Sequence, residues 1–256
     1  MDLYLIGIGT GNPDHVTAEA AQAMNAADLI LIPFKGEDKA DLAGLRQAIC
    51  ARFVTNPATR LQSFDLPVRD PANPDYLSRV DDWHDAIADV WAQHIDAHLA
   101  AGGGARVALL VWGDPSLYDS TLRIAGRIRD RFAMTLRVIP GITAIQALCA
   151  AHAIPLNDLG GAVHLTTGRR LRQDGWPQDA DTVVVMLDAG GAFLALPPDG
   201  ITIWWGAYVG MPEQILLHGP LADCAATIVE TRAKARQDHG WIMDIYLMRR
   251  VAGPTG

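Results

Sequence analysis

The chain has 256 residues, half of them apolar, with a net charge of −8 and three cysteines. That excess of acid argues against sequence-independent nucleic-acid binding, which needs a broad cationic surface to displace counterions from phosphate. Cys50, Cys149 and Cys224 are widely spaced and form no CxxC pair, which suggests neither a disulfide framework nor a cysteine zinc site and fits a reducing, cytoplasmic compartment. The N-terminus lacks a cationic export region, and no apolar run approaches the roughly 18 residues of a spanning helix, so no membrane partner is expected.

The first apolar run, Leu3 to Ile8, predicts a buried strand. It delivers the chain into Gly7-Ile8-Gly9-Thr10-Gly11-Asn12-Pro13, which nearly copies a dinucleotide-binding turn. Such a turn needs GxGxxG and an acidic residue at the end of the second strand to hold a ribose. Here the third glycine falls one position early, and Asp28 precedes the second apolar run, 29–32, instead of following it. The hydride-transfer reading weakens accordingly.

Helix-period segments at 17–27, 39–53 and 76–100 alternate with short apolar runs at 3–8, 29–32 and 106–112, the pattern of a mostly parallel sheet with crossover helices. Pro67 to Pro74 reads as a surface loop. After Trp112 come the turn Gly113-Asp114-Pro115-Ser116, a helical stretch at 117–131, a strand at 134–139, the tight Pro140-Gly141, and a helix through 152. Strand candidates then fall at 163–167, 182–187, 201–205, 213–217 and 241–247, with a helix at 221–236. Their short connections suggest a mixed or antiparallel-containing second sheet. The simplest partition is two α/β domains, 1–115 and 116–256, with residues 252–256 a frayed tail.

Gly113-Asp114-Pro115-Ser116-Leu117-Tyr118 leaves a predicted buried strand at its carboxyl end, where open α/β sheets bind ligands. Read alone, Asp and Pro there also suit an ordinary helix-capping turn. In Pro140-Gly141-Ile142-Thr143-Ala144 a hydroxyl and backbone groups open a helix, which suits polar ligand atoms. Met186, in Val183-Val184-Val185-Met186-Leu187-Asp188, has an equally ordinary reading as core filler.

Together the GxGxGxPxxVT stretch ending in Val16 and Thr17, the GDPxxY stretch and the PGITA stretch resemble, in order and approximate spacing, the motifs of the tetrapyrrole (corrin/porphyrin) methylases. A narrower similarity, to the deacetylating branch of that family, is carried by Lys35-Gly36-Glu37-Asp38-Lys39-Ala40-Asp41-Leu42 with Leu45-Arg46, by His15, by Trp176-Pro177, and by Trp204-Trp205-Gly206-Ala207-Tyr208. Ile32-Pro33-Phe34 departs from the pattern, where a more polar residue is expected before Lys35.

The resemblance implies the two-domain fold of that family, each domain a mixed or parallel sheet flanked by helices, with the active site in the interdomain cleft. It implies S-adenosylmethionine as cofactor, held by Pro13, Gly113, Asp114, Ser116, Tyr118, Thr143, Ala144, Met186 and Ala207. The glycine loop then lies on the substrate side, where Gly9, Gly11, Lys35 and Lys39 would meet precorrin-5, a small-molecule tetrapyrrole methylated at C1 with loss of acetate. A homodimer is a family expectation.

Deacetylation needs a base, and His15, which titrates near neutrality, leads the candidates with Asp14, followed by Tyr118 and Asp114. His15 also suits a helix start beside Thr17. Cations opposite the substrate's carboxylates are expected in an acidic protein. Lys35, Lys39 and Arg46 are suited to meet them, and the arginines at 123, 127, 129 and 131 or at 169, 170 and 172 offer the same chemistry, but most such charges are solvated helix faces, and only Lys35 and Lys39 are assigned. His94 and His98 have i, i+4 spacing, yet Ile95 stands where HExxH would place glutamate; an exposed helix face is expected, and no metal. Another methylase of the same fold acting on corrin precursors, protein or RNA, and a non-catalytic binding domain, are the rival readings.

Overall fold

The computed structural model describes residues 1–34, 40–68 and 76–250. The chain divides into two compact units, Met1–Thr143 and Ala144–Gly256.

In the first unit, β1 (Asp2–Gly7), β2 (Leu29–Phe34), β3 (Arg60–Asp65), β4 (Arg106–Val111) and β5 (Thr135–Ile139) form one sheet in the order β3-β2-β4-β1-β5. Every pairing is parallel, so all carboxyl ends emerge on one edge. Alternation along the central strands gives each face its own core. Leu3, Leu5, Leu29, Leu31, Val107 and Leu109 pack under α3 (Tyr76–Ala100) and α4 (Thr121–Arg127), where Trp91 and Ile124 meet them. On the other face Tyr4, Ile6, Ile30 and Leu110 pack under α1 (Ala18–Ala26) and α2 (Ala40–Phe53), against Met24 and Ile49. Burial on both sides is why β1 and β2 read as near-continuous apolar runs.

The expected division at 115/116 moves to 143/144 because β5 is hydrogen-bonded along β1, from Asp2↔Thr135 to Ile6↔Ile139. Residues 116–143 therefore belong with the first sheet. The helix expected at 117–131 forms only over Thr121–Arg127, since Tyr118 takes a left-handed backbone (φ 49°). Strand β3 was absent from the expectation.

The second unit is mixed, as expected. Its sheet runs β6 (Val163–Thr167), β7 (Thr182–Met186), β10 (Asp244–Arg250), β8 (Ile201–Ala207), β9 (Ile215–Pro220). β6 and β7 are parallel, and the remaining pairings are antiparallel. α5 (Ala144–Ala151), α6 (Gly168–Asp174) and α7 (Leu221–His239) complete it. Among the described residues no helix is long and apolar enough to cross a membrane.

Candidate active site

At the carboxyl edge of the first sheet three loops converge through their glycines. The loop after β1 and the loop after β4 form an antiparallel bridge: the Gly113 amide donates to the Gly9 carbonyl at 2.7 Å, and the Gly9 amide donates back at 3.4 Å. The turn after β5 closes against both. A Cβ on Gly7 would stand 2.6 Å from the Gly141 nitrogen and 2.8 Å from the Gly113 oxygen, all unyielding backbone. Glycine is also demanded conformationally at Gly9, Gly11 and Gly113, with φ of 77°, 104° and 60°. These glycines therefore let three backbones touch and leave the edge of the sheet lined by main chain.

Asp114 straps two of the loops together. Its Oδ1 accepts from the Ser116 amide at 2.8 Å and the Ser116 hydroxyl at 2.5 Å, and its Oδ2 accepts from the Gly141 amide at 2.9 Å. Burial opposes the charge, but those three donors outweigh it and hold the carboxyl below the ordinary aspartate value. Asp114 thus acts on the site by fixing its loops. Tyr118 is 43% exposed, and partial burial raises its hydroxyl pKa, which suits a hydrogen-bond donor better than a base.

In the glycine loop Asn12 caps a short 3₁₀ turn, Pro13–His15, by accepting from the Asp14 amide at 2.9 Å, and Thr17 caps α1 through the Ala20 amide at 3.1 Å. His15 Nδ1 lies 2.9 Å from Thr10 Oγ1, so His15 does more than start a helix. The Asp14 carboxylate is exposed and pairs with Arg52 at 2.5 Å. Thr143 ends the first unit, its Cα within van der Waals reach of a Cβ built on Gly113. Lys35 and Lys39 lie outside the described residues.

In the second unit Ala144 opens α5, Met186 ends β7 and Ala207 ends β8. The residues after the last two, Leu187 and Tyr208, are left-handed (φ 52° and 51°), as is Tyr118 in the first unit. Three of the four described non-glycine residues with positive φ thus lie in, or directly after, expected cofactor positions. Strained backbone of this kind persists where surrounding structure over-determines it, and it clusters at ligand sites. Here the clamps are visible. Tyr208 donates its hydroxyl to the Trp241 carbonyl at 2.5 Å. Asp188, buried beyond Leu187, accepts from the Ala192 amide at 2.5 Å, from the Tyr246 hydroxyl at 2.8 Å and from Arg172. Arg232 donates to the Asp188 carbonyl at 3.0 Å and pairs with Asp244 at 3.0 Å. Burial raises the Asp244 pKa even against Arg232. Sequence reading missed this network because its paired side chains are 12 to 58 residues apart.

One expectation fails locally. His98 is buried, at 7% exposure, with Nε2 at 3.2 Å from the Gly104 carbonyl, because the chain folds back over the end of α3. Several of the arginines are ion-paired: Arg127 with Asp81 and Asp85, Arg131 with Asp89, Arg172 with Asp188. Asp28 lies at the opposite, amino edge of the sheet, fastened to Arg106 at the start of β4, away from the carboxyl end where a dinucleotide ribose would need it.

A parallel sheet whose carboxyl-edge glycine loops interlock, followed by a mixed second sheet, defines a two-sheet α/β enzyme of the methylase type. The chain belongs to the Tetrapyrrole (Corrin/Porphyrin) Methylases, whose family model matches residues 2–225. It is 47% identical, over 98% of its length and 95% of the relative's, to "Precorrin-6A synthase [deacetylating]" of Sinorhizobium sp. The crystal structure of CobF, a cobalamin synthesis related protein from Corynebacterium diphtheriae, superposes with a TM-score of 0.83 at 38% identity, covering 98% of this chain and 99% of that one. Uroporphyrin-III C-methyl transferase from Thermus thermophilus, solved with S-adenosyl homocysteine, shares the fold at 16% identity, with a TM-score of 0.59 and 97% of each chain covered.

Proposed function

We propose that this protein is an S-adenosylmethionine-dependent C-methyltransferase of aerobic cobalamin biosynthesis. It methylates precorrin-5 at C1, with hydrolytic loss of the C1 acetyl group as acetate, to give precorrin-6A. The observation that carries this reading is the 47% identity, across 98% of the chain, to a relative of that named activity.

Main-chain groups of Gly113, Ser116, Thr143 and Ala144, the Tyr118 hydroxyl, and Pro13, Met186 and Ala207 would hold the cofactor, with Asp114 fixing the turn. When bound, S-adenosylmethionine supplies an electrophilic methyl group on a sulfonium sulfur. The chain's task is then chiefly positioning, which can account for roughly 7–11 kcal/mol of a barrier.

On the substrate side, the loop through Gly9 and Gly11 would face the macrocycle, the missing Cβ of Gly9 giving its space to His15, while Lys35 and Lys39 would meet its carboxylates. His15 is assigned as the base. In the tautomer whose Nδ1–H faces Thr10 Oγ1, 2.9 Å away, Nε2 is left to take a proton from water as its oxygen bonds to the acetyl carbonyl carbon. The C1–acetyl bond breaks with its electron pair on C1, and acetate departs. Asp14, occupied by Arg52, serves the loop more than the proton. The same reading makes the protein a cytoplasmic homodimer, a compartment that its free cysteines suit and an oligomeric state that rests on the family resemblance.

Incubating the protein with precorrin-5 and methyl-labelled S-adenosylmethionine tests the assignment. A labelled tetrapyrrole that has lost its acetyl carbons is expected. Methylation of uroporphyrinogen instead, or methyl transfer with the acetyl group retained, would overturn it.

A further inference from the structure

The helix α2 faces its core through positions 46, 49, 50 and 53, the i, i+3, i+4, i+7 stripe of an amphipathic helix. Ile49 and Cys50 are buried there, and Phe53 packs on the same cluster. The fourth member is Arg46, a cation where the pattern asks for an apolar side chain. Its Nε donates to the Leu110 carbonyl at 3.3 Å, and its guanidinium carbon lies 5.1 Å from the centre of the Trp112 ring. The head group is therefore held one to three residues from Gly113, whose backbone bridges Gly9.

Desolvating a cation is unfavourable unless an anion joins it. Burial, opposed by the more distant Asp119, pulls the Arg46 pKa down to about 10. Among the described residues Arg46 forms no ion pair, and its two terminal nitrogens have no acceptor, whereas Arg52, six residues along the same helix, is paired with Asp14. Trp112 Nε1, beside it, is buried without an acceptor, while Arg46 itself is half-buried. Two neighbouring donors, one of them charged, are left open at the edge of the sheet that carries the glycine loops. The complementary group is an anionic acceptor, and a carboxylate fits the guanidinium fork through two parallel bonds.

We propose that Arg46 is a specificity-determining residue that receives a peripheral carboxylate of the tetrapyrrole through its terminal nitrogens, with the Trp112 indole N–H as an auxiliary donor. This rests on the tetrapyrrole reading given above, and adds a residue on α2 to the lysines assigned there.

The test is a fluorescence titration with uroporphyrin I, a macrocycle carrying eight carboxylates, on the wild type, Arg46→Met and Arg46→Lys. Calorimetric titration with S-adenosylhomocysteine and a melting curve accompany each. Arg46→Met is expected to weaken uroporphyrin binding at least about tenfold, with S-adenosylhomocysteine affinity unchanged and Tm unchanged or higher, because a half-buried cation without an ion-pair partner among the described residues has been removed. Arg46→Lys is expected to recover part of the loss. Unaltered uroporphyrin binding in Arg46→Met overturns the proposal. Loss of both ligands together with a lowered Tm also overturns it, by making Arg46 a structural residue. A wild type that binds S-adenosylhomocysteine but not uroporphyrin removes the tetrapyrrole reading and the proposal with it, and is recognised because no variant is needed to see it.

Discussion

Replacing Gly141 with alanine probes the seam on which the site is built. The added Cβ would stand 2.8 Å from the Gly7 carbonyl carbon and 2.9 Å from its Cα, and would overlap the Gly113 oxygen. Carbon atoms prefer roughly 3.5–4.0 Å, so the loops must part by about 1 Å, and none of the atoms involved is a side chain that can swing away. Overpacking of this kind costs about 1–3 kcal/mol. If the shift also draws the Gly141 amide from Asp114, a bond to a charged group worth about 1.5–3 kcal/mol is at risk, and the two effects, being neighbours, will not simply add. Gly126 is the control, since it lies in α4 with nothing within 4 Å of a Cβ; alanine there should stabilise by about 0.5–1 kcal/mol. Urea denaturation gives the stability, and titration with S-adenosylhomocysteine gives the affinity. Gly141→Ala should lose both, and Gly126→Ala should gain stability with affinity unchanged. If Gly141→Ala behaved as the wild type in both assays, interlocked glycines would not be what shapes this edge.

The remaining predictions concern single groups. His15→Ala should slow acetate release by about 10²–10⁴-fold, the usual contribution of one general base, with S-adenosylhomocysteine affinity unchanged by calorimetry; turnover at the wild-type rate would remove His15 from the chemistry. Tyr246→Phe deletes a 2.8 Å donor to buried Asp188 and should cost about 1.5–3 kcal/mol in denaturant, whereas a loss within experimental error would show Asp188 satisfied without it. Asp28 has its pKa lowered, chiefly by its hydrogen bond to Arg106. Its stabilisation is therefore complete above the unfolded value near 3.8 and disappears as pH falls through the lower folded value. Asp28→Asn should flatten the fall in stability below pH 4 or so, and an identical acid profile would contradict the pairing.

Much of the first unit could be read from the chain because its central strands are apolar on both faces and its glycines are required by backbone geometry. GxGxG, GDP and PG each announce a turn that only glycine or proline fits. What escaped reading depends on contacts between distant segments. Strand β3, Arg-Leu-Gln-Ser-Phe-Asp, buries only Phe64 because it is the sheet's edge, so it shows neither an apolar run nor clean alternation. The unit boundary was misplaced because β5 adds to β1 after more than 120 intervening residues. His98 looked exposed on helical spacing, but the Gly102-Gly103-Gly104 return covers it, with Gly103 packed directly on its ring. Arg46 was among the cations expected to meet carboxylates, but what sets it apart from the others, Trp112 and the Leu110 carbonyl, lies in a distant segment. The roles of Asp188 and Asp244 likewise follow from pairings that no local pattern encodes.

The proposed function requires that the loops at 113–118 and 140–144 hold a sulfonium methyl donor. A crystal structure of the protein grown with S-adenosylhomocysteine tests it most directly. The ligand should lie against the backbone of 113–118 and 140–144, with Met186 and Ala207 in contact. A ligand bound elsewhere, or with its carboxylate seated on the Gly7 to Gly11 amides, would contradict the account.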